Sequence, residues 1–147
     1  MSGTRVYARH RYRIARGESG FGPVVERKIT GNRSRKKRFR APVALLTSRY
    51  VTSSCEAFVL MMKQADACTV VGQPTYGSSG NPKPHALANG VTLVVPSWQV
   101  MLPDGTCFEG VGVAPDVEVA VDRAQLDRRD PILERALGVL RKEVERN

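Results

Sequence analysis

The chain of 147 residues has little of several things. No apolar run approaches the roughly 18 residues that a membrane-spanning helix needs. The first 30 residues hold no apolar segment of the kind found in a secretory leader. Histidine occurs twice, as His10 and His85. Cysteine occurs three times, as Cys55, Cys68 and Cys107, an odd number with no C-x-x-C pair. That inventory argues against a zinc site. The three thiols read as small, reduced core residues.

Acidic residues are scarce at one end. Residues 1–40 hold 13 Lys/Arg against Glu18 and Glu26, a net of +11. Residues 41–147 hold 10 Lys/Arg against 12 acids, a net of −2. The expected organisation is a basic N-terminal arm or connection over 1–40 and a near-neutral globular body over 41–147. A hydrophobic share of 41% and a mean hydropathy of −0.28 suit a chain that buries a core. The cluster at 33–40, RSRKKRFR, has no buried face and reads as an exposed linker. Its charge gives counterion-release affinity for polyanions. One aromatic, Phe39, is too little for a base-stacking platform, so no specific nucleic-acid role is expected.

The chain is organised around residues 42–64, PVALLTSRYVTSSCEAFVLMMKQ. Val43, Ala44, Leu45 and Leu46 form a short apolar run entered through a proline, as in a buried strand of a parallel sheet. A polar turn follows, and then Thr52, Ser53 and Ser54 lead into an apolar helix. Strand, tight turn, serine and helix together expose a nucleophile where free N–H groups and the positive helix end converge. The same residues also form a plain capping box, Ser53 with Glu56, which needs no chemistry.

Elsewhere the pattern is mostly β. Residues 4–14 alternate, with Val6, Ala8 and His10 on one parity, and read as an edge strand guarded by arginines. Residues 24–29 read as a second short strand. Residues 68–72 are a buried strand stopped by glycine. Residues 73–85 are a long Gly/Ser/Pro loop of the length that is often functional. Residues 91–95 and 98–102 are strands. Pro103-Asp104-Gly105 is a turn, and 106–113 either pairs back or leaves the sheet. Asp130 and Pro131 open a final helix. There Leu133, Leu137, Leu140 and Val144 form one apolar stripe expected to face the body.

Four of these stretches, LLTSRYVTSSCEAFVLMMKQ, TVVGQPTYGSSGNP, NGVTLVVPSWQ and FEGVGVAPDVEV, occur in this order. They resemble the C-terminal half of the catalytic domain of tail-specific (C-terminal processing) serine peptidases. The branch they are most similar to is related to the tricorn core and interphotoreceptor retinoid-binding protein. The resemblance implies an α/β fold, a ClpP/crotonase-like domain of layered β-β-α units, here expected to be incomplete. It matches Ser53 to the nucleophile, three residues before Glu56, and the Ser54 backbone N–H to an oxyanion donor. The two readings of Ser53 are compatible, since a nucleophile can sit at a helix cap. Glu109, just before Gly110-Val-Gly-Val-Ala-Pro-Asp116, resembles the branch's catalytic glutamate. It reads equally well as an exposed hairpin carboxylate.

The base is the departure from the family. Bacterial members place a lysine where this sequence has Ser78, and Lys83 lies in a Pro-flanked loop, so a Ser–Lys dyad is not supported. The tricorn-like branch takes a histidine from upstream, ahead of a D-x-R-x-N-x-G-G strand end. Neither feature occurs here. His10 sits in the basic arm and His85 follows Pro84 in a loop, so the expectation is a base supplied from outside this chain. A serine without a base is a weak nucleophile. The resemblance thus implies a serine-type peptidase domain acting on a polypeptide, with no cofactor and no metal. The chain reads as a piece of a longer frame, partnered by the missing N-terminal part or by a second copy. The alternative is a non-catalytic binding or assembly module on the same fold. Family members occur in the periplasm, outside the cell and, for the tricorn-like ones, in the cytoplasm, so the compartment stays open.

Overall fold

A computed structural model describes residues 3–15, 20–32, 39–122, 124 and 126–145. Ten elements follow in chain order. They are β1 (Thr4–Tyr12), β2 (Val25–Thr30), β3 (Val43–Thr47), α1 (Ser54–Met62), β4 (Cys68–Gly72), β5 (Lys83–Ala86), β6 (Thr92–Val95), β7 (Trp98–Met101), β8 (Val117–Glu118) and α2 (Pro131–Glu145). The result is a mixed α/β domain.

One sheet is parallel, in the order β3-β4-β8. Val43 to Thr47 pair in register with Cys68 to Gly72. Val70 and Val71 are adjacent and both fully buried, so both faces of β4 are covered. Val70 joins Val59 and Leu60 of α1 in the core, while α2 packs on β3 and β4. The second sheet is antiparallel, in the order β2-β1-β7. Ala8 of β1 and Val100 of β7 meet Val59, Leu60, Phe108 and Val113 in the same core. Helix α1 therefore lies between β1 and β4 and is held from both sides.

Strand β1 was expected at an edge, and the structure places it in the middle of its sheet. Its arginines find partners rather than repel neighbours. Arg9 pairs with Glu26 across the strands at 3.6 Å, and Arg11 Nε donates to Gln99 Oε1 at 2.6 Å. The guanidiniums of Arg11 and Arg13 each lie 4.3 Å from the Phe21 ring centre. Most of the basic cluster, residues 33–38, lies outside the described residues.

The loop expected over 73–85 ends in strand instead. Lys83 to Ala86 pair antiparallel with Thr92 to Val95 as a two-stranded ribbon. Pro84 is tolerated because, among the described residues, no strand pairs with the outer edge of β5. Residues 106–113 leave the sheet after one bridge, Met101 with Cys107. The stripe on α2 also differs from expectation. Ala136 is buried and Ile132, Val139 and Leu140 are half-buried, whereas Leu133, Leu137 and Val144 are exposed. The covered face therefore runs through Ile132, Ala136, Val139 and Leu140, and Leu133 and Leu137 fall beside it.

Candidate active site

The site starts where β3 ends. Thr47 is buried and its hydroxyl donates to the Gln73 carbonyl. The chain then turns through Val51, whose N–H donates to the Ser48 carbonyl, and reaches α1 at Ser53. Ser53 has φ 57° and ψ −121°, a conformation that a residue with a Cβ rarely adopts. A sharp strand-to-helix turn of this kind projects a serine hydroxyl into the open. Ser53 is exposed.

Glu56 holds that backbone. It is completely buried, yet its carboxylate accepts four hydrogen bonds. Oε1 takes the Thr75 hydroxyl and the Gly77 N–H, both at 2.6 Å. Oε2 takes the Ser53 N–H at 2.9 Å and the Ser78 N–H at 3.1 Å. Ser53 N–H also reaches the Ser78 carbonyl at 2.8 Å. The carboxylate half of the expected capping box is thus one arm of a larger clamp. That clamp fastens the 73–80 loop over the head of the helix. Ser78, matched above to the lysine of bacterial members, contributes backbone to the clamp.

Glycine is required on the loop side. Gly77 has φ 79°, and a Cβ there would fall 2.5 Å from Gly112 N and 2.7 Å from Phe108 O. Gly112 has φ 89°, and its Cβ would fall 2.0 Å from Thr75 O. The segments T-Y-G and G-V-G-V therefore interlock backbone to backbone. Thr75 Oγ1 links them, donating to Glu56 and accepting from Val113 N–H at 2.8 Å.

At the helix head the Ser54 N–H has no acceptor among the described residues. It is one of the orphan donors of a helix N-terminus, and the dipole adds to its pull on an anion. Ser53 and Ser54 border a cavity of about 250 Å³ with His10, Ser79, Trp98 and Phe108. Glu109 borders a neighbouring cavity of about 480 Å³ with Arg13, Phe21, Ser79 and Trp98. Its carboxylate accepts the Ser79 N–H at 3.2 and 3.4 Å. The structure thus brings Ser53 and Ser54 into one cavity and puts Glu109 in the next. The two cavities share Ser79 and Trp98 as a common wall.

His10 is the residue that sequence reasoning set aside. It is 8% exposed, lies 5.1 Å from the Trp98 ring and borders the Ser53 cavity. Burial holds its imidazole below the usual range, and the charge of Arg27 adds to the effect. The signal in the sequence is its parity with Val6 and Ala8 on an alternating strand, since Ala8 is 1% exposed. His85 is exposed on β5, as is Lys83. Among the described residues no three His, Cys, Asp or Glu side chains cluster to hold a metal. No helix among them is long and apolar enough to cross a membrane.

The chain is thus a mixed α/β domain that presents a strained serine at a helix head. Comparison with known proteins gives the family. The model of peptidase family S41 matches residues 3–119, and the chain belongs to that family. A peptidase-like protein from Parabacteroides merdae superposes with a TM-score of 0.83 at 27% identity, over 95% of this chain and 44% of that one. The tricorn protease superposes with a TM-score of 0.61 at 27% identity, over 72% of this chain and 11% of that one. The photosystem II D1 C-terminal processing protease shares the fold, with a TM-score of 0.54 at 18% identity over 81% of this chain and 28% of that one. The chain therefore spans less than half the length of these relatives.

Proposed function

We propose that this domain hydrolyses polypeptides by serine attack, with Ser53 as the nucleophile. The observation that carries the reading is the backbone of Ser53. A φ of 57° at a helix head is costly for serine, and a buried four-bonded carboxylate holds it there. A plain helix cap needs no such strain, because an ordinary N-cap has extended backbone. The unclaimed Ser54 N–H supplies the oxyanion contact to the tetrahedral intermediate. Glu109 assists from the adjoining cavity: through the Ser79 N–H it fixes the shared wall. The parallel sheet packed by α1 and α2 supports the ClpP/crotonase-like layering.

The test is intact mass after exposure to a fluorophosphonate. The wild type is expected to gain one adduct and Ser53→Ala none. A folded wild type that gains no adduct overturns the reading and leaves Ser53 as a helix cap.

A further inference from the structure

We propose that the cavity beside Ser53 is a subsite for a carboxamide side chain, glutamine or asparagine, read by the Trp98 indole and the His10 ring. The polypeptide is then cut on the carboxyl side of that residue. The proposal rests on the reading of Ser53 as nucleophile and deepens it by naming the residue class that is cut.

The first observation is two orphan atoms in one lining. Ser53, Ser54, His10 and Trp98 border the same cavity of about 250 Å³. His10 Nδ1 and Trp98 Nε1 are both buried and neither has a hydrogen-bond partner. His10 as a whole is 8% exposed. Buried polar atoms are nearly always partnered, so two orphans beside one cavity mark groups whose partners arrive with a ligand. A carbonyl attacked by Ser53 and held by the Ser54 N–H carries its side chain on the adjacent carbon, next to this lining.

The second observation is that the two rings are set before any ligand arrives. In the ladder between β1 and β7, His10 opposes Val100 and Tyr12 opposes Trp98. Residues two apart on a strand share a face, which makes His10 and Trp98 diagonal neighbours. Their ring centres lie 5.1 Å apart, and the Tyr12 ring meets Trp98 edge-on at 5.6 Å. The Trp98 backbone N–H donates to the Gly80 carbonyl at 3.2 Å, and Ser97 Oγ donates to the Asn81 carbonyl at 2.7 Å. These bonds fasten the 80–82 rim of the cavity to β7. Rings packed in this way have little rotamer freedom left to lose on binding.

The third observation is which side chain answers both atoms. An indole N–H only donates, so the ligand must offer an acceptor. Burial, with the charge of Arg27, favours the neutral imidazole, which has one donor and one acceptor nitrogen. A carboxamide suits either tautomer. Its oxygen accepts from Trp98 while its NH2 donates to Nδ1, or its oxygen accepts from both. A carboxylate suits only the second case, and it brings a charge into a lining with no Lys or Arg among the described residues. A lysine or arginine finds no Asp or Glu there. A leucine leaves both atoms without partners. A serine hydroxyl can bond to either ring but leaves more of the cavity unfilled.

The experiment uses peptidyl phosphonates, in which phosphorus stands for the attacked carbonyl carbon and the adjacent carbon carries the side chain of glutamine, glutamate, leucine or serine. Labelling rates are read by intact mass, beside a small fluorophosphonate that has no such side chain. The glutamine probe is expected to label at least about 30-fold faster than the leucine and glutamate probes, the scale of two stranded buried groups, and faster than the serine probe. In Trp98→Phe, which keeps a ring and drops the N–H, the glutamine-to-leucine ratio is expected to fall toward one, with folding checked by circular dichroism. A wild type that no probe labels removes the Ser53 reading and this one with it. A wild type labelled by the small fluorophosphonate, but with no preference for the glutamine probe, removes this proposal alone. A folded Trp98→Phe that keeps the wild-type ratio overturns the part given to Trp98. If Trp98→Phe does not fold, the wild type still decides. Trp98 is the single tryptophan, so its indole N–H gives one NMR resonance. That resonance is expected to differ between the glutamine and leucine adducts, and an identical position in both overturns the assignment.

Discussion

Glu56→Gln is nearly isosteric and yet is expected to damage both fold and site. The carboxylate accepts two donors on each oxygen: Thr75 Oγ1 and Gly77 N on one, Ser53 N and Ser78 N on the other. An amide offers one carbonyl and one NH2. Whichever way it turns, one pair of donors faces another donor. Each stranded donor costs about 1–3 kcal/mol, so the pair costs about 2–6 kcal/mol. The lower half of that range fits an amide that places its carbonyl on the fully enclosed side, toward Thr75 and Gly77. Ser78 N–H then loses its acceptor and Ser53 N–H keeps only the Ser78 carbonyl, and both lie close enough to the surface to find water. A loss of about 3 kcal/mol lowers Tm by roughly 10 °C in a domain of this size. The same change frees the Ser53 backbone to relax toward an ordinary cap, so labelling by a fluorophosphonate falls even at a temperature where the variant is folded. Thermal melts and labelling rates measured side by side are the assay. A Glu56→Gln protein within about 0.5 kcal/mol of wild type, labelled at the wild-type rate, would refute the clamp.

Ser53→Gly removes the Cβ that makes φ 57° costly, and after glycine's own entropy loss it is expected to gain about 1 kcal/mol while losing all labelling. A destabilised Ser53→Gly would show that the turn is not strained. Gly112→Ala is expected to cost on the order of 3 kcal/mol or more, because its Cβ falls on the Thr75 carbonyl in a backbone region that suits glycine. A melt unchanged by Gly112→Ala would contradict the interlock. His10 gives a pH dependence whose sign is fixed. Its folded pKa lies below the ordinary value near 6.5, so between the two the unfolded chain binds the extra proton and stability falls as pH drops below about 6.5. The loss levels off at the folded pKa. Denaturant unfolding at about pH 7.5 and about pH 5.5, on either side of the ordinary histidine value, checks it. Arg27→Gln is expected to narrow the difference, and an equal effect in both proteins would argue against the Arg27 contribution.

What was legible in the sequence was what local pattern determines. The run Val43 to Leu46, the Ser53–Glu56 spacing and the Pro131 helix start each depend on near neighbours, and each reappears as β3, the head of α1 and the start of α2. What was not legible depends on pairings between residues far apart in the chain. The arginines of β1 suggest an edge strand until Glu26 is seen to pair with Arg9, and Gln99 and Phe21 to hold Arg11. The i,i+3 spacing of Ser53 and Glu56 shows one bond of the clamp, but the other three come from residues 75–78, some 20 positions on. His10 shows the same limit at the site itself. Its charge context in sequence is basic and exposed, and only the pairing of His10 with Val100 on β7 turns the ring into a core position beside Trp98. Charge density along a chain is therefore a poor guide to the role of this segment, and the alternation of Val6, Ala8 and His10 is the better one. On an alternating strand, the parity of a histidine relative to its apolar neighbours decides whether it reaches water or the interior. By that parity His10 belongs inside with Ala8, whatever the charge of the arginines on either side of it.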